Sequence, residues 1–255
     1  MGYRTLSVER TGPLAVVRLA RPEQGNPIDG LFLQELDDAC ADVNDDASIR
    51  VALLMAEGEV FSSGWAAAEL ESTAGRARQG TSPPFACLES MGQPAICALN
   101  GSATSAGLEL ALACDVRLAA EGARFALPET AQGQIPMAGG TQRLARLVGR
   151  GEALRLILLG EEIDAQEALR IGLVSGVHPR DRLAAEAEAL ALRMASRGPV
   201  ALRYAKEAVR RGLEQPLDQA LRYETDLTVI LQTTEDRAEG VRAFLEKRDP
   251  EFRGQ

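Results

Sequence analysis

The beginning of the chain alternates between apolar and polar positions in a way that predicts a β-hairpin followed by a helix. Leu6 and Val8 alternate with polar neighbours, Thr11-Gly12-Pro13 has turn composition, and an apolar run over residues 14–19 returns the chain. Between Leu31 and Val43 the apolar residues recur at helical spacing. The chain is therefore expected to begin with two antiparallel strands and an amphipathic helix.

Three uninterrupted apolar runs have the length of buried strands. They cover residues 51–55, 95–99 and 116–119. Gly64 follows the first run, and several small residues between Gly101 and Gly107 follow the second, each leading into a helical stretch. The recurrence of strand, glycine-containing turn and helix predicts a layered α/β core.

From about Leu183 onwards the pattern is helical only. A strong amphipathic helix over residues 183–194 is halted by Gly198-Pro199. Further helices are predicted over residues 201–211, 216–231 and 235–246. This change divides the chain into an α/β core, residues 1–196, which contains the candidate site, and an all-helical region, residues 197–255.

Composition is that of an ordinary globular protein. Of the 255 residues, 45% are hydrophobic and 25% charged, and no apolar run approaches the ~20 residues that a membrane span requires. The net charge of −9 argues against a nucleic-acid surface, which would show clustered Lys and Arg. Four cysteines without CxxC spacing, and a start that carries Glu9 and lacks a signal sequence, predict reduced thiols and a cytoplasmic protein.

Two glutamates give the first indication of chemistry. Glu109 and Glu129 each stand beside a stretch of small residues in an otherwise apolar segment, where carboxylates are rare unless they are paired or functional. One interpretation is a satisfied ion pair with Arg143 or Arg124; the other is acid/base chemistry beside a bound carbonyl group. The single histidine, His178, stands without a G-x-S-x-G motif, so no Ser-His-Asp triad is predicted.

Two strand-to-helix turns are candidates for binding an anionic oxygen. One is Phe61-Ser62-Ser63-Gly64-Trp65, and the other, Ser105-Ala106-Gly107, opens the helix that carries Glu109. The N-terminus of a helix leaves N–H groups unpaired, and its dipole favours negative charge there. Two such N–H groups converging on one oxygen form an oxyanion hole, although small residues also serve close helix–sheet packing.

Several short strings occur in a characteristic order and spacing. They are Pro94-Ala-Ile-Cys-Ala-Leu-Asn-Gly101, Gly107-Leu-Glu-Leu-Ala111, Phe125-Ala-Leu-Pro-Glu129 and Gly139-Gly-Thr-Gln-Arg-Leu144, with Phe61-Ser-Ser-Gly64 upstream. Together they resemble the crotonase (enoyl-CoA hydratase/isomerase) superfamily over essentially the whole chain. The resemblance implies an α/β fold built as a crotonase-type spiral of ββα units, with a C-terminal all-helical trimerisation region and a homotrimer or a dimer of trimers.

The resemblance also implies roles for individual residues. The backbone N–H groups of Trp65 and Ala106 would hold the thioester oxygen of an acyl-CoA, and Glu109 and Glu129 would hold and activate a water. Because both glutamates are present, an enoyl-CoA hydratase is favoured over an isomerase. No metal or redox cofactor is implied, since coenzyme A is part of the substrate. Contacts with the substrate and its CoA part are expected from Arg21, Ser63, Gly64, Ala66, Gly107, Met137 and Lys247.

Some positions depart from the family pattern. Trp65 and Met137 stand where small residues are usual, and Ala66 replaces an aspartate. A tryptophan at this position resembles the family branch that hydrates crotonobetainyl-CoA to carnitinyl-CoA, where the face of the indole would attract a trimethylammonium group. The alternative is that Trp65 only packs against its neighbours in the fold. Two other reactions of the same fold, enoyl-CoA isomerisation and thioester hydrolysis, stay open as alternative functions. So do two non-enzyme alternatives, a catalytically silent scaffold and an RNA-binding relative. One helical stripe is expected to present Arg143, Arg146 and Arg150.

Overall fold

The chain begins with the predicted hairpin and helix. The computed structural model describes residues 2–69 and 83–255. Its first elements are β1 (Leu6–Thr11), β2 (Leu14–Leu19) and α1 (Gly30–Asp45). β1 and β2 pair antiparallel across a two-residue turn in which Gly12 takes a φ of +56°, a value that favours glycine. Both predicted strands and the first helix are confirmed.

The remaining strands form one large and one small sheet. In chain order they are β3 (Val51–Ala56), β4 (Ala95–Leu99), β5 (Ala103–Thr104), β6 (Val116–Ala120), β7 (Arg124–Ala126), β8 (Ile163–Asp164) and β9 (Gly176–His178). The large sheet has the order β1-β2-β3-β4-β6-β9 and is parallel from β2 onwards. The three predicted apolar strands occupy its centre, where both faces are covered and continuous apolar runs are required.

The small sheet has the order β5-β7-β8 and was not predicted. Its strands are only two or three residues long, too short for an alternating pattern. β5 runs parallel to β7, with Ala103 opposite Phe125 and Thr104 opposite Ala126. The chain segments that follow these two strands, one carrying Glu109 and the other Glu129, therefore leave the small sheet side by side.

Helices cover both faces of the large sheet. They are α2 (Ala86–Ser90), α3 (Ala106–Leu112), α4 (Gly140–Val148), α5 (Arg150–Leu159), α6 (Ala165–Arg170) and α7 (Arg180–Ala195). α7 packs on one face through a row of four buried residues, none more than 3% exposed: Leu183, Ala187, Ala191 and Ala195. Small alanine side chains let this helix approach the strand residues Leu53, Ile96 and Leu118 closely. The main hydrophobic core lies on the other face of the sheet.

The last three helices confirm the predicted helical end of the chain. They are α8 (Pro199–Gly212), α9 (Leu217–Leu231) and α10 (Glu235–Glu246). Two cations tie this region to the sheet: Lys206 lies 2.9 Å from the Asp115 carboxylate, and Arg50 donates to the carbonyls of Ala195 and Phe252. In the two described ranges, no helix is both long enough and apolar enough to span a bilayer.

Candidate active site

The two candidate oxyanion turns lie against each other. A methyl group placed on Gly64 would stand 2.7 Å from the Cβ of Ser105, and one placed on Gly107 would stand 2.7 Å from the Oγ of Ser62. The Thr104 N–H also donates to the Ser62 carbonyl at 3.1 Å. Because atoms this close leave no space for a side chain, these positions require glycine, and the turns meet as predicted.

Both predicted donors are left free by the local backbone. The carbonyl of Ser105 accepts the N–H groups of residues 108 and 109, so α3 begins after it and the Ala106 N–H has no helical partner. Ser105 takes a φ of +54°, a strained value for a residue with a side chain. In the other turn, Ile28 bonds to the residues on either side of Trp65 and not to its N–H. Among the described residues neither N–H has an acceptor.

Glu109 is fully buried and held by one oxygen. Its Oε1 accepts the N–H of Ala138 at 2.8 Å and the N–H of Gly140 at 2.7 Å. Its Oε2 is buried and has no hydrogen-bond partner among the residues that the structure describes. A methyl group on Gly140 would lie 2.9 Å from Oε1, so a glycine is needed for the backbone to come this close. The carboxylate is thus fixed in orientation and presents one free oxygen.

Glu129 lies in a 3-10 helix, Pro128–Gln132. Proline at the start of this turn sets the backbone angle and needs no N–H partner. Glu129 is 6% exposed, and within ranges 2–69 and 83–255 both of its buried carboxylate oxygens are without a hydrogen-bond partner. The Ser105 N–H donates to the Ala126 carbonyl at 2.9 Å, which brings the segment leading to Glu129 against the entrance of α3.

The two carboxylates interact electrostatically. The pKa of Glu109 is raised from 4.5 to about 7, mainly because the group is buried and also because of the charge of Glu129. The N–H groups of Gly140 and Ala138 and the positive charge of Arg143 act in the opposite direction and favour the ionised form. A carboxyl group with a pKa near neutrality is suited to accept a proton during turnover.

The ion-pair interpretation of these glutamates is wrong. Arg143 pairs with Glu89 at 2.6 Å, and Arg124 pairs with Asp164 at 3.8 Å. The predicted arginine stripe is also wrong, because α4 ends at Val148 and Arg150 belongs to the next helix. No cluster of three or more His, Cys, Asp and Glu side chains in the described ranges is arranged to hold a metal ion.

The predicted substrate contacts divide into two groups. Ser63, Gly64 and Gly107 lie in the two turns, Ala66 directly follows the first turn, and Met137 directly precedes Ala138, a donor to Glu109. The two candidates for CoA contact are the basic side chains of Arg21 and Lys247, and the loop of Arg21 touches the first turn, since the Ser63 N–H donates to the Gly25 carbonyl. Arg21 is engaged with Asp29 and the Pro27 carbonyl, and Lys247 is exposed at the end of α10.

Trp65 is half-buried and packs against the main core. Its indole Nε1 is nevertheless buried, and no described residue accepts a hydrogen bond from it. A buried donor without a partner is uncommon in a native fold and calls for an explanation. The packing interpretation therefore accounts for the ring and leaves the N–H available to an acceptor.

Sequence reasoning missed the residues that hold Glu109. Ala138 and Gly140 donate to it, and Arg143 and Glu89 lie directly behind them. The signal was present as two adjacent glycines shortly before an arginine. It could not be interpreted without the structure, because the donors are backbone groups and Glu89 lies far away in the sequence.

The chain is similar to known proteins over its whole length. A family model described as enoyl-CoA hydratase/isomerase matches residues 9–255. The 2,3-dehydroadipyl-CoA hydratase of Escherichia coli is 41% identical, over 98% of this chain and 98% of that protein. The crotonyl-CoA hydratase of Syntrophomonas wolfei is 38% identical, over 99% of both. The crystal structure of an enoyl-CoA hydratase from Bacillus anthracis superposes with a TM-score of 0.92 at 38% identity, over 99% of this chain and 100% of that one.

Proposed function

The chain belongs to the enoyl-CoA hydratase/isomerase family, and on this basis we propose that it adds water reversibly across the double bond of a 2-trans-enoyl-CoA to give a 3-hydroxyacyl-CoA. Full-length relatives named as enoyl-CoA hydratases confirm the expected fold family and enzyme class. The observation that carries the proposal is the set of three buried carboxylate oxygens without protein partners, on Glu109 and Glu129, beside two free backbone N–H groups.

The proposed reaction follows from the charges that develop. A water molecule loses a proton to Glu109 while its oxygen bonds to C3 of the enoyl group. The electron pair of the double bond moves toward the thioester, whose oxygen becomes negative and accepts hydrogen bonds from the N–H groups of Trp65 and Ala106. For this the pair must enter the step with one proton, on Glu129, and with Glu109 ionised; Glu129 then delivers its proton to C2, which completes the addition and leaves the proton from water on Glu109. Loss of one oxyanion donor typically costs on the order of 10²–10³ in rate.

The free oxygens distinguish hydration from the alternatives. Isomerisation needs one group to move a proton, whereas hydration needs a second group to hold the water, and both Glu109 and Glu129 have oxygens available. Thioester hydrolysis would require a water aimed at the carbonyl carbon instead of C3. The buried, unpaired glutamates also argue against a silent scaffold, because a buried carboxylate without a partner is costly to retain.

The test is the ultraviolet band of the conjugated enoyl thioester. Purified protein is mixed with crotonyl-CoA, 2,3-dehydroadipyl-CoA, crotonobetainyl-CoA and longer 2-enoyl-CoAs, and loss of the band is followed with time. We expect turnover that falls by about 10²–10⁴ in Glu109→Gln and in Glu129→Gln. Binding of the CoA esters without loss of the band, or salt-sensitive RNA binding in its place, would overturn the proposal.

We also propose that the helical region, residues 197–255, joins copies of this chain into a trimer or a dimer of trimers. Large apolar side chains are exposed along α8 to α10, and Leu213 and Leu217 are 71% and 73% exposed. Exposed apolar residues grouped in this way are typical of an interface between protein chains. Light scattering coupled to size-exclusion chromatography measures the mass, for which a single 27.2 kDa species would contradict the proposal.

A further inference from the structure

Arg143 makes an unusually complete set of contacts for an arginine near a surface. Its Nε and Nη2 bond to the two carboxylate oxygens of Glu89 at 2.6 and 2.9 Å, in the two-point geometry that arginine forms with carboxylates. Its Nη1 donates to the carbonyl of Ala138. The side chain is only 13% exposed. These contacts fix the guanidinium from two sides, on α2 and on the segment before α4.

The peptide segment that Arg143 holds is the one that holds Glu109. Ala138 offers its carbonyl to Arg143 and its N–H to the Glu109 carboxylate, so one residue connects the two side chains. Gly139 takes a φ of +104°, and a methyl group there would lie 2.1 Å from Nη1 of Arg143. Gly140 supplies the second donor to Glu109. The two adjacent glycines thus make room for the guanidinium on one side and for the carboxylate on the other.

We propose that Arg143, held in place by Glu89, is a positioning residue for Glu109. By fixing the carbonyl of Ala138, Arg143 aims the N–H groups of Ala138 and Gly140 at one carboxylate oxygen and leaves the other oxygen for the attacking water. Arg143 itself touches no reacting atom. This inference rests on the proposed hydratase function, and it predicts how Glu109 behaves when the segment behind it is loosened.

The charges of Arg143 and Glu89 should also affect the pKa of Glu109. The charged groups that act on Glu109 are Glu129, which raises its pKa, and Arg143, which lowers it. Removing the guanidinium therefore raises the pKa of Glu109. Removing the negative charge of Glu89 leaves the charge of Arg143 uncompensated, which lowers the pKa of Glu109. The two substitutions loosen the same segment and shift the titration in opposite directions.

The experiment compares Arg143→Met, Arg143→Lys and Glu89→Gln with wild-type protein, using crotonyl-CoA hydration. Arg146→Met is the matched control, because Arg146 lies on the same helix and is exposed, and its hydrogen bonds to described residues go to Gln142. We expect kcat to fall by about 10²-fold in Arg143→Met, as for a reacting group displaced by about 1 Å, with little change in KM. Arg143→Lys keeps the charge and loses the two-point contact, so it should recover only part of kcat.

The pH profile separates positioning from simple loss of structure. The acid limb of kcat/KM should move to higher pH in Arg143→Met and to lower pH in Glu89→Gln, and should not move in Arg146→Met. Equal kcat in Arg143→Met and Arg146→Met would overturn the inference. It would also be overturned if the acid limbs of Arg143→Met and Glu89→Gln both coincided with that of wild type. If Arg143→Met does not fold, Glu89→Gln still tests the direction of the shift. Absence of hydration by wild-type protein would instead refute the proposed function.

Discussion

Replacing Glu109 by glutamine should make the fold increasingly stable relative to wild type as pH rises, while it lowers activity. The carboxyl group is fully buried, and burial raises its pKa from 4.5 to about 7. The folded state therefore holds the proton more tightly than the unfolded state does. Stability is greatest where the group is protonated in both states and falls as pH rises from about 4.5 through about 7, because the fold must then keep a buried charge.

The size of this effect follows from the pKa change. At about 1.4 kcal/mol per pKa unit, the rise from 4.5 to about 7 makes ionised Glu109 cost about 3 kcal/mol of the free energy of unfolding. Glutamine carries no charge and keeps an oxygen for the N–H groups of Ala138 and Gly140. Its amide NH₂ takes the place of the unpartnered Oε2, which costs about 1–3 kcal/mol at every pH. The change with pH in the difference between the unfolding free energies of Glu109→Gln and wild type therefore reports the ionisation of Glu109 alone.

The assay is urea unfolding followed by circular dichroism, with wild type and Glu109→Gln at equal protein concentration from pH 5 to pH 8.5. Equal concentration matters because association of copies adds to apparent stability. The stability of the variant relative to wild type should rise by about 2.5 kcal/mol over this range. A difference that stays constant with pH, or that falls, would refute the assignment of a raised pKa to Glu109 and with it the electrostatic account of the site.

Three further outcomes follow from the same geometry. In Glu129→Gln the pKa of Glu109 should fall, because a neighbouring negative charge is lost, and the pH dependence of urea unfolding should become shallower. Gly140→Ala should lower kcat by about 10²-fold, because the added methyl group would lie 2.9 Å from Glu109 Oε1. The control is Gly151→Ala in α5, where the space around the glycine is open. It should leave kcat unchanged and stabilise the helix by up to about 1 kcal/mol. Leu213→Asp should reduce the oligomer mass in light scattering, since a charge would replace an exposed apolar side chain in the proposed interface.

The sequence predicts the large sheet well and the small sheet not at all, for one physical reason. Central parallel strands such as β3 and β4 are buried on both faces, so burial alone requires a continuous apolar run. β5 and β8 have two residues each, and their pairing is decided by which distant segments the fold brings together. The local pattern of apolar and polar residues contains no information about that contact.

The same distinction applies to the site. Glu109 and Glu129 were identified because a carboxylate in an apolar segment is conspicuous in a sequence. Their orientation was not predictable, because it comes from backbone N–H groups, which every residue except proline has. The ion-pair interpretation failed because Arg143 has a carboxylate partner, Glu89, more than fifty positions away. The resemblance supplied the candidate donors Trp65 and Ala106, and the structure supplied the reason that each is free.

The candidate site contains features that lower the stability of the fold. A buried glutamate with a free oxygen and a serine at φ +54° both lower stability, and both lie where the proposed reaction needs a fixed acceptor and a free N–H. The Arg143–Glu89 pair offsets little of this cost directly, since much of its Coulomb gain is spent on desolvation. Its value is geometric: it keeps Ala138 from relaxing toward some other acceptor, so the strain stays where the chemistry uses it. An arginine pair that contributed only to stability would have no need to hold the carbonyl of Ala138, a residue whose N–H donates to Glu109.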